Sequence, residues 1–582
     1  MKLFFQNILS SALGFIVAII LVILSILVFT IISSFTSSLF VHKNQIEENS
    51  ILKIKFDFPI SDKPNTDPFI NFKPNGNFET NNSMHLYKII TSIDEASKNK
   101  NIAGIILDLS SFQNPGAAST KEIRDALNRF KDENKFIYAY STIFGKTAYY
   151  LASVADSICM YPTGGMELAG LSSTTTFFTE TFSKIGIKPE IIRHGKFKAA
   201  VEPFMLTEMS EENREQTKTL LNDVWQTMLK DISASRMISI DSLNKLANNL
   251  TISILPQESV EKGLIDTLIY PDNFNQILVK KMNVKDVKDL NFISLDDINA
   301  TKNNSKNTIG IIYAEGKINE QRDNINSDYA KTLKQALEDD KISAIVLRVN
   351  SPGGSALISD EILSQIKLSK KDKPLIVSMG NVAASGGYYI SCAADKIFAL
   401  ESTITGSIGV FGVIWTAEEL LKNKMKLHFS NVKTNDFSDI GSPYRSLSKK
   451  ERSLIQLSVK NTYNEFINHV AEGRNMPLLE VDEIGQGRVW TGFRAQNIGL
   501  VDSIGGIYEA IHAAADLAEI ENFQIKELPK KKTGFEAFLE NISETQILQQ
   551  TSIEEIYLNH LKNKFLNING VQALLPVEYH IE

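Results

Sequence analysis

Residues 102–112 read IAGIILDLSSF, and residues 342–352 read ISAIVLRVNSP. Each is a short apolar run that ends in polar residues, the pattern of a strand buried on both faces. A second pair repeats the relation: YYLASVADSI at 149–158 matches YYISCAADKI at 388–397. The pairs are offset by 240 and 239 positions. A near-constant offset over two separate blocks marks tandem duplication of one fold. Working outward, strand-like and helix-like stretches alternate. In the first copy they are Ile51–Phe58, Leu86–Lys98, Ile102–Leu109, Thr120–Phe130, Phe136–Tyr140 and Ala148–Ala155. In the second they are Thr308–Ala314, Tyr329–Leu337, Ala344–Val349, Asp360–Leu368, Leu375–Met379 and Gly387–Ala393. This β-α-β-α order predicts an α/β fold with mostly parallel sheets and crossover helices. A polar helical stretch follows each core, Glu211–Ile232 and Lys449–Gly473. Each leads to a similar ending, KGLID at 262–266 and IGLVD at 498–502. Segment 59–83, rich in Asn, Pro, Asp and Gly, reads as loop.

The chain's 582 residues suit two large domains with accessories. Its 43% hydrophobic and 22% charged content is that of a globular protein. A net charge of −7, with no basic stripe interleaved with aromatics, argues against nucleic acid as a partner. Cys159 and Cys392 lie in apolar stretches without metal spacing and read as buried reduced thiols. No charged residue lies between Lys2 and His42, and Leu13–Ile32 has the length needed to span a bilayer. It is too long for a typical signal-peptide core and no convincing small-x-small cleavage site follows, so it reads as a membrane anchor. Lys2 before it and His42 and Lys43 after it signal orientation only weakly. The division expected is an anchor at 1–45, a first repeat at 46–300, a second at 301–525 and a tail at 526–582. The Lys530-Lys531-Lys532 run in that tail reads as a solvated turn.

The copies differ where chemistry would sit. Copy two carries Ser385 in the run VAASGG at 382–387, between a buried strand and a helix. A hydroxyl there lies near free backbone N–H groups that favour developing negative charge. The same residue could serve simply as a helix N-cap, and the local sequence leaves both roles open. RVNSPGGS at 348–355 also joins a strand to a helix. Its paired glycines can turn N–H groups toward a substrate oxygen, or form an ordinary turn. Copy one lacks both features: Lys146 stands at the position of Ser385, and LSSFQNPGA at 109–117 lacks the paired glycines. Lys146 lies in a Gly-Lys-Thr triplet, but Tyr140 stands where a phosphate-binding loop needs glycine.

A serine nucleophile needs a base. Neither core offers a matching histidine: His194 reads as structural, and His428 sits in an alternating apolar stretch read as a strand. A lysine can serve if burial lowers its pKa. Lys198, in HGKFKAAVEP at 194–203, is flanked by Phe197 and by Ala199–Val201. By composition alone it reads as a surface lysine beside a loop. Its counterpart in copy two falls near Asp436 and Phe437.

Four motifs carry a family likeness: RVNSPGGS at 348–355, MGNVAASGGYYIS at 379–391, TGSIGVFG at 405–412 and GKFKAAVEPF at 195–204. With them the chain, over residues 50–520 and the anchor, resembles the long, tandem-domain form of the signal peptide peptidase A family. That family comprises membrane-anchored Ser/Lys proteases related in fold to Clp protease and the crotonases. The resemblance implies two tandem Clp/crotonase-like domains behind one N-terminal transmembrane helix. It implies Ser385 as nucleophile, Lys198 as general base and Ser407 as the residue that orients Lys198. Gly353 and Gly354 would form the oxyanion hole with Gly386. No metal or other cofactor is expected. The implied substrates are cleaved signal peptides left after signal peptidase has acted, and other peptides. The implied form is a homotetramer held to membrane lipid by its N-terminal helix. Its place would be the cytoplasmic (inner) membrane, single-pass, with the catalytic domains on the periplasmic side. Asn381 departs from the Asp or Gly of many members. The competing readings are a crotonase-like acyl-CoA enzyme and an inactive membrane scaffold. Intact Ser385 and Lys198 argue against the second, and an anchor argues against the first.

Overall fold

The apolar runs at 102 and 342 each become a central strand of a parallel sheet. The structure is a computed structural model that describes residues 45–64, 83–249, 251–298, 305–321, 324–369, 373–529 and 570–574, with the short strands 71–72 and 78–79 and parts of 14–25. Most of the expected anchor, and the Lys530–Lys532 run, lie outside the described residues. Among the described residues no helix is long and apolar enough to cross a membrane.

Copy one contributes strands β1 (Ser50–Lys55), β2 (Ile102–Asp108), β3 (Phe136–Phe144), β4 (Ser157–Met166), β5 (Lys188–His194), β6 (Thr267–Leu268) and β7 (Phe292–Ile293). Its sheet runs β6-β4-β3-β2-β1-β7 with every neighbour parallel. Copy two contributes β8 (Thr308–Glu315), β9 (Ile342–Ser351), β10 (Gly353–Ser355), β11 (Leu375–Ala384), β12 (Lys396–Ala399), β13 (Ile404–Gly406), β14 (Val410–Thr416), β15 (Val489–Thr491), β16 (Ser503–Ile504) and β17 (Gln524–Leu528). Its parallel path, β16-β12-β11-β9-β8-β17, repeats the first strand for strand.

Repeated hydrogen bonds confirm the register. The Tyr149 hydroxyl donates to the Leu264 carbonyl at 2.9 Å, and Tyr388 donates to Leu500 at 2.9 Å. Asp156 accepts from the Ile137 amide, and Asp395 from the Leu375 amide. Arg236 pairs with Asp266 as Arg474 pairs with Asp502. The polar helices Glu211–Arg236 and Lys449–Arg474 begin alike. The hydroxyls of Ser210 and Ser448 accept from backbone N–H groups three residues on, which satisfies donors the helix itself cannot. They end alike too, in left-handed Met237 and Asn475.

Many links join the copies, three of them central. First, β5 of copy one pairs antiparallel with β14 of copy two, from Val410 opposite His194 to Thr416 opposite Lys188. These strands belong to a four-stranded antiparallel sheet, β10-β18-β14-β5, whose strand β18 is Gly570–Leu574. Second, the fully buried Arg348 of β9 donates to Asp62 at 2.7 Å and to Glu122 at 2.5 Å, both from copy one. Third, Asn381 binds the start of helix Ala117–Asp132. Its Oδ1 accepts from the amides of Ala118 and Ser119, and its Nδ2 donates to the Pro115 carbonyl. The departure from the family pattern is thus an inter-copy cap.

Two expectations are corrected. His428 is not in a strand. Residues 426–433 have no regular structure and are exposed, while both edges of β14 are taken by β5 and β18. The helix expected at Gly387–Ala393 is the single turn Gly386–Tyr389, followed by further turns. So short a helix has little macrodipole, and any anion site beside Ser385 rests on individual amides.

Candidate active site

Strand β11 delivers Ser385 at its end. The serine has φ 57° and ψ −113°, a conformation that non-glycine residues seldom adopt. Such a residue costs on the order of 1–3 kcal/mol and persists only where its neighbours enforce it. Here the Ser385 amide donates to the Gly406 carbonyl at 2.8 Å, and the Ser385 carbonyl accepts from Tyr389 at 2.8 Å. The turn is pressed against the end of β9: a Cβ on Gly387 would lie 2.6 Å from the Ser351 carbonyl oxygen.

Lys198 reaches this serine from the other copy. The β5–β14 ladder carries the chain across, and the loop after β5 docks on residues 486–489. The Phe197 amide donates to the Gln486 carbonyl at 3.0 Å. A Cβ on Gly487 would lie 2.7 Å from the Lys198 Cα, so only glycine admits the lysine backbone there. Gln216 bridges the same two segments, donating to the Phe197 carbonyl and accepting from the Val489 amide. Behind the loop, fully buried Glu202 accepts from the Ser210 hydroxyl and from Asn213 Nδ2, with Arg193 3.7 Å away.

Lys198 Nζ therefore lies 2.8 Å from Ser385 Oγ, 3.0 Å from Ser407 Oγ and 3.2 Å from the Ser407 carbonyl oxygen. All three residues have 0% exposure. Burial pushes the Lys198 amine well below the ordinary lysine range, because an ammonium loses its hydration there. A neutral amine has two N–H groups and one lone pair. The Ser407 carbonyl can only accept, and its hydroxyl can take the second N–H. The lone pair then faces the Ser385 hydroxyl. Ser407 is itself held in a left-handed conformation, φ 50°, with its amide on the Arg488 carbonyl at 2.7 Å.

The glycine arm lies beside this group. A Cβ on Gly353, which has φ 91°, would lie 2.6 Å from the Gly386 amide nitrogen. The backbone at Gly353 thus packs against the Gly386 amide next to Ser385. The Gly353 amide donates to Ser351 Oγ at 3.1 Å, a bond that an arriving oxyanion would share or displace. A Cβ on Gly354 would lie 2.1 Å from the Ile318 carbonyl oxygen, so this position too admits only glycine. The structure brings Ser385, Lys198, Ser407, Gly353 and Gly386 together, with Gly354 buried next to Gly353.

The other candidates fall away from this place. Lys146 begins helix Lys146–Ala152, 7% exposed, with Glu167 at 4.0 Å. The His194 ring packs on Tyr463, centroids 4.1 Å apart, and burial lowers its pKa. Cys159 and Cys392 are free and buried, and burial pushes their thiols up to about 11 and about 12. Among the described residues no cluster of three or more His, Cys, Asp or Glu could hold a metal ion. Sequence reasoning missed Gln486, Gly487, Gln216 and Glu202. The glycine-rich GQGRVWTG at 485–492 signals Gln486 and Gly487, and Glu202 stands in the GKFKAAVEPF motif without a role read for it.

The model of peptidase family S49 matches twice, at residues 129–285 and 367–521, once in each copy. That of Clp protease matches residues 301–405. The chain is 34% identical over 476 residues to "Protease 4" of Salmonella typhi, covering 79% of this chain and 76% of that protein. It is 33% identical to "Protease 4" of Haemophilus influenzae, covering 74% and 72%. It is 30% identical to "Serine protease SPPA, chloroplastic" of Arabidopsis thaliana, covering 80% and 71%.

Proposed function

The chain belongs to peptidase family S49, and from that premise we propose that Ser385 and Lys198 are the dyad with which this serine peptidase cuts peptide bonds. The observation that carries the proposal is the 2.8 Å contact between Lys198 Nζ and Ser385 Oγ inside a fully buried site. Neutral Lys198 takes the Ser385 proton as Oγ attacks the substrate carbonyl carbon. The amides of Gly386 and Gly353 hold the oxyanion, each donor contributing roughly 3–4 kcal/mol. Lys198 then gives its proton to the leaving amine, and water, deprotonated by Lys198, releases the acyl group. Ser407 keeps the lysine lone pair aimed at Ser385.

The substrates in this reading are signal peptides already released by signal peptidase, and other extended peptides. The relatives named for signal peptide peptidase and protease activity support it. The apolar stretch Leu13–Ile32 supports anchoring in the cytoplasmic membrane, with both repeats, 46–300 and 301–525, on the periplasmic side. A homotetramer is the proposed assembly. The test is hydrolysis of a synthetic signal peptide by Ser385→Ala and Lys198→Ala chains. Both are expected to be inactive while folded, and substantial turnover by either would refute the dyad.

A further inference from the structure

Each copy ties down a tyrosine beside the turn that carries Lys146 or Ser385, and the two ties have opposite polarity. In copy one the Tyr150 hydroxyl donates to Asp231 Oδ2 at 2.5 Å, and Lys121 Nζ lies 3.5 Å from the same oxygen. In copy two the Tyr389 hydroxyl donates to Asp360 Oδ1 at 3.0 Å, and His469 Nε2 lies 3.2 Å from that oxygen. The positions correspond. Tyr150 follows Lys146 at the same interval as Tyr389 follows Ser385. Lys121 and Asp360 each come after a hydroxyl that donates back to the carbonyl four residues earlier, Thr120 to Gly116 and Ser359 to Ser355, both at 2.8 Å. Asp231 and His469 stand at the same place in the polar helices Glu211–Arg236 and Lys449–Arg474. Acid and base have changed places between two helices.

The exchange redirects the tyrosine. Tyr150 is bonded to the polar helix, whereas Tyr389 is bonded to helix Ala356–Ser369, which follows the glycine arm 353–355 directly. The Tyr389 amide also donates to the Ser385 carbonyl at 2.8 Å. One buried residue therefore joins the nucleophile's turn to the helix behind the arm. Burial and the Asp360 carboxylate hold the Tyr389 phenol above its ordinary pKa, so it keeps its proton and donates. His469 is oriented in turn. Lys367 Nζ lies 2.8 Å from its Nδ1, and an ammonium can only donate, so Nε2 carries the ring proton and faces Asp360.

We propose that Asp360, oriented by His469, is a positioning residue: through Tyr389 it sets the distance between Ser385 Oγ and the glycine arm. The inference rests on the Ser385/Lys198 dyad and adds no group that touches substrate. A strained turn such as that of Ser385 must be held from several sides, and a small misplacement between nucleophile and oxyanion donors lowers the rate steeply. Copy one has no nucleophile to place, and its tyrosine is bonded to the other helix.

The test measures kcat and KM on a synthetic signal peptide, together with the urea unfolding midpoint. Tyr389→Phe removes only the hydroxyl and is expected to lower kcat about tenfold, with KM and the midpoint unchanged. Asp360→Ala should do the same. Asp360→Asn keeps an accepting oxygen and should bring kcat back to within about twofold of wild type. The pair Asp360→Lys with His469→Asp reproduces the copy-one arrangement. It should unfold at the wild-type midpoint yet stay about tenfold slow, because its tyrosine is bonded to the polar helix. Wild-type kcat in Tyr389→Phe or in the exchanged pair would overturn the inference, and so would an Asp360→Asn chain as slow as Asp360→Ala. An inactive Ser385→Ala chain beside a fully active Tyr389→Phe chain overturns this inference alone; substantial turnover by Ser385→Ala overturns the dyad as well.

Discussion

After the third strand of each sheet, copy one has Gly145 and Lys146 where copy two has Ala384 and Ser385. Around these turns the copies are held alike, with the same tyrosine-to-carbonyl bond and the same aspartate on the incoming strand. At the turns they diverge. Copy two has the strained serine and the paired glycines. Copy one has the docked loop that carries Lys198, whereas the corresponding stretch of copy two, near Asp436, lies in an exposed, irregular segment. The scaffold tolerates this because its register depends on bonds outside the turns. Each copy can lose half of a site without losing its fold, provided the interface brings the remaining halves together.

The largest expected effect breaks that division outright. Ser385→Ala and Lys198→Ala should each lower kcat for peptide hydrolysis by on the order of 10^4-fold or more. Lys146→Ser should restore nothing to Ser385→Ala, because copy one lacks the glycine arm. The lysine also sets the pH dependence. Its folded pKa is depressed, so the rate should rise about tenfold per pH unit up to that pKa and then level off. Stability should follow the same direction. Between the folded pKa and about 10.4 the unfolded chain holds a proton on Lys198 that the folded chain lacks. Between the folded pKa and about 10.4, stability should therefore increase with pH by about 1.4 kcal/mol per unit. Lys198→Met should lose that slope, as urea midpoints across pH would show.

The next effect is on the joint between copies. Arg348→Leu would leave Asp62 and Glu122 buried without their cation, and should cost about 3–5 kcal/mol in denaturant unfolding. A smaller loss sharpens the role of Ser407. Ser407→Ala removes one bond to Lys198 and should lower kcat about ten- to hundredfold with little change in KM. The smallest concerns Asn381. Its replacement by Ala frees two amides at the start of helix Ala117–Asp132 and should cost about 1–2 kcal/mol. A loss near zero would show that the cap does not help to hold the copies together.

Much of this was legible in the chain because it depends on short-range pattern. Helix Leu86–Lys98 ends where its periodicity ends, and both central strands lie where the apolar runs are. Ser385 was visible through the small residues that must surround a crowded turn. Other features had no local signature. His428 lies in an alternating stretch, but alternation makes a strand only where a neighbour has a free edge, and β14 has none. Gly353 and Gly354 read alike in sequence, yet a Cβ on the first would meet the Gly386 amide nitrogen and on the second the Ile318 carbonyl oxygen. Asn381 looked incidental because its partners are 262 and 263 residues away.

The sequence by itself determined that the molecule is a doubled α/β fold and which residues of copy two could carry chemistry, since periodicity, small-residue runs and repeat register are properties of neighbouring residues. Only the tertiary structure decided that Lys198 is the amine beside Ser385. The two are 187 residues apart, and a lysine becomes a base only when a particular interface removes its water. Burial of that kind is produced by surfaces from both copies at once, by Gly487 and Gly409 on one side and Phe197 on the other, and no single stretch of chain contains it.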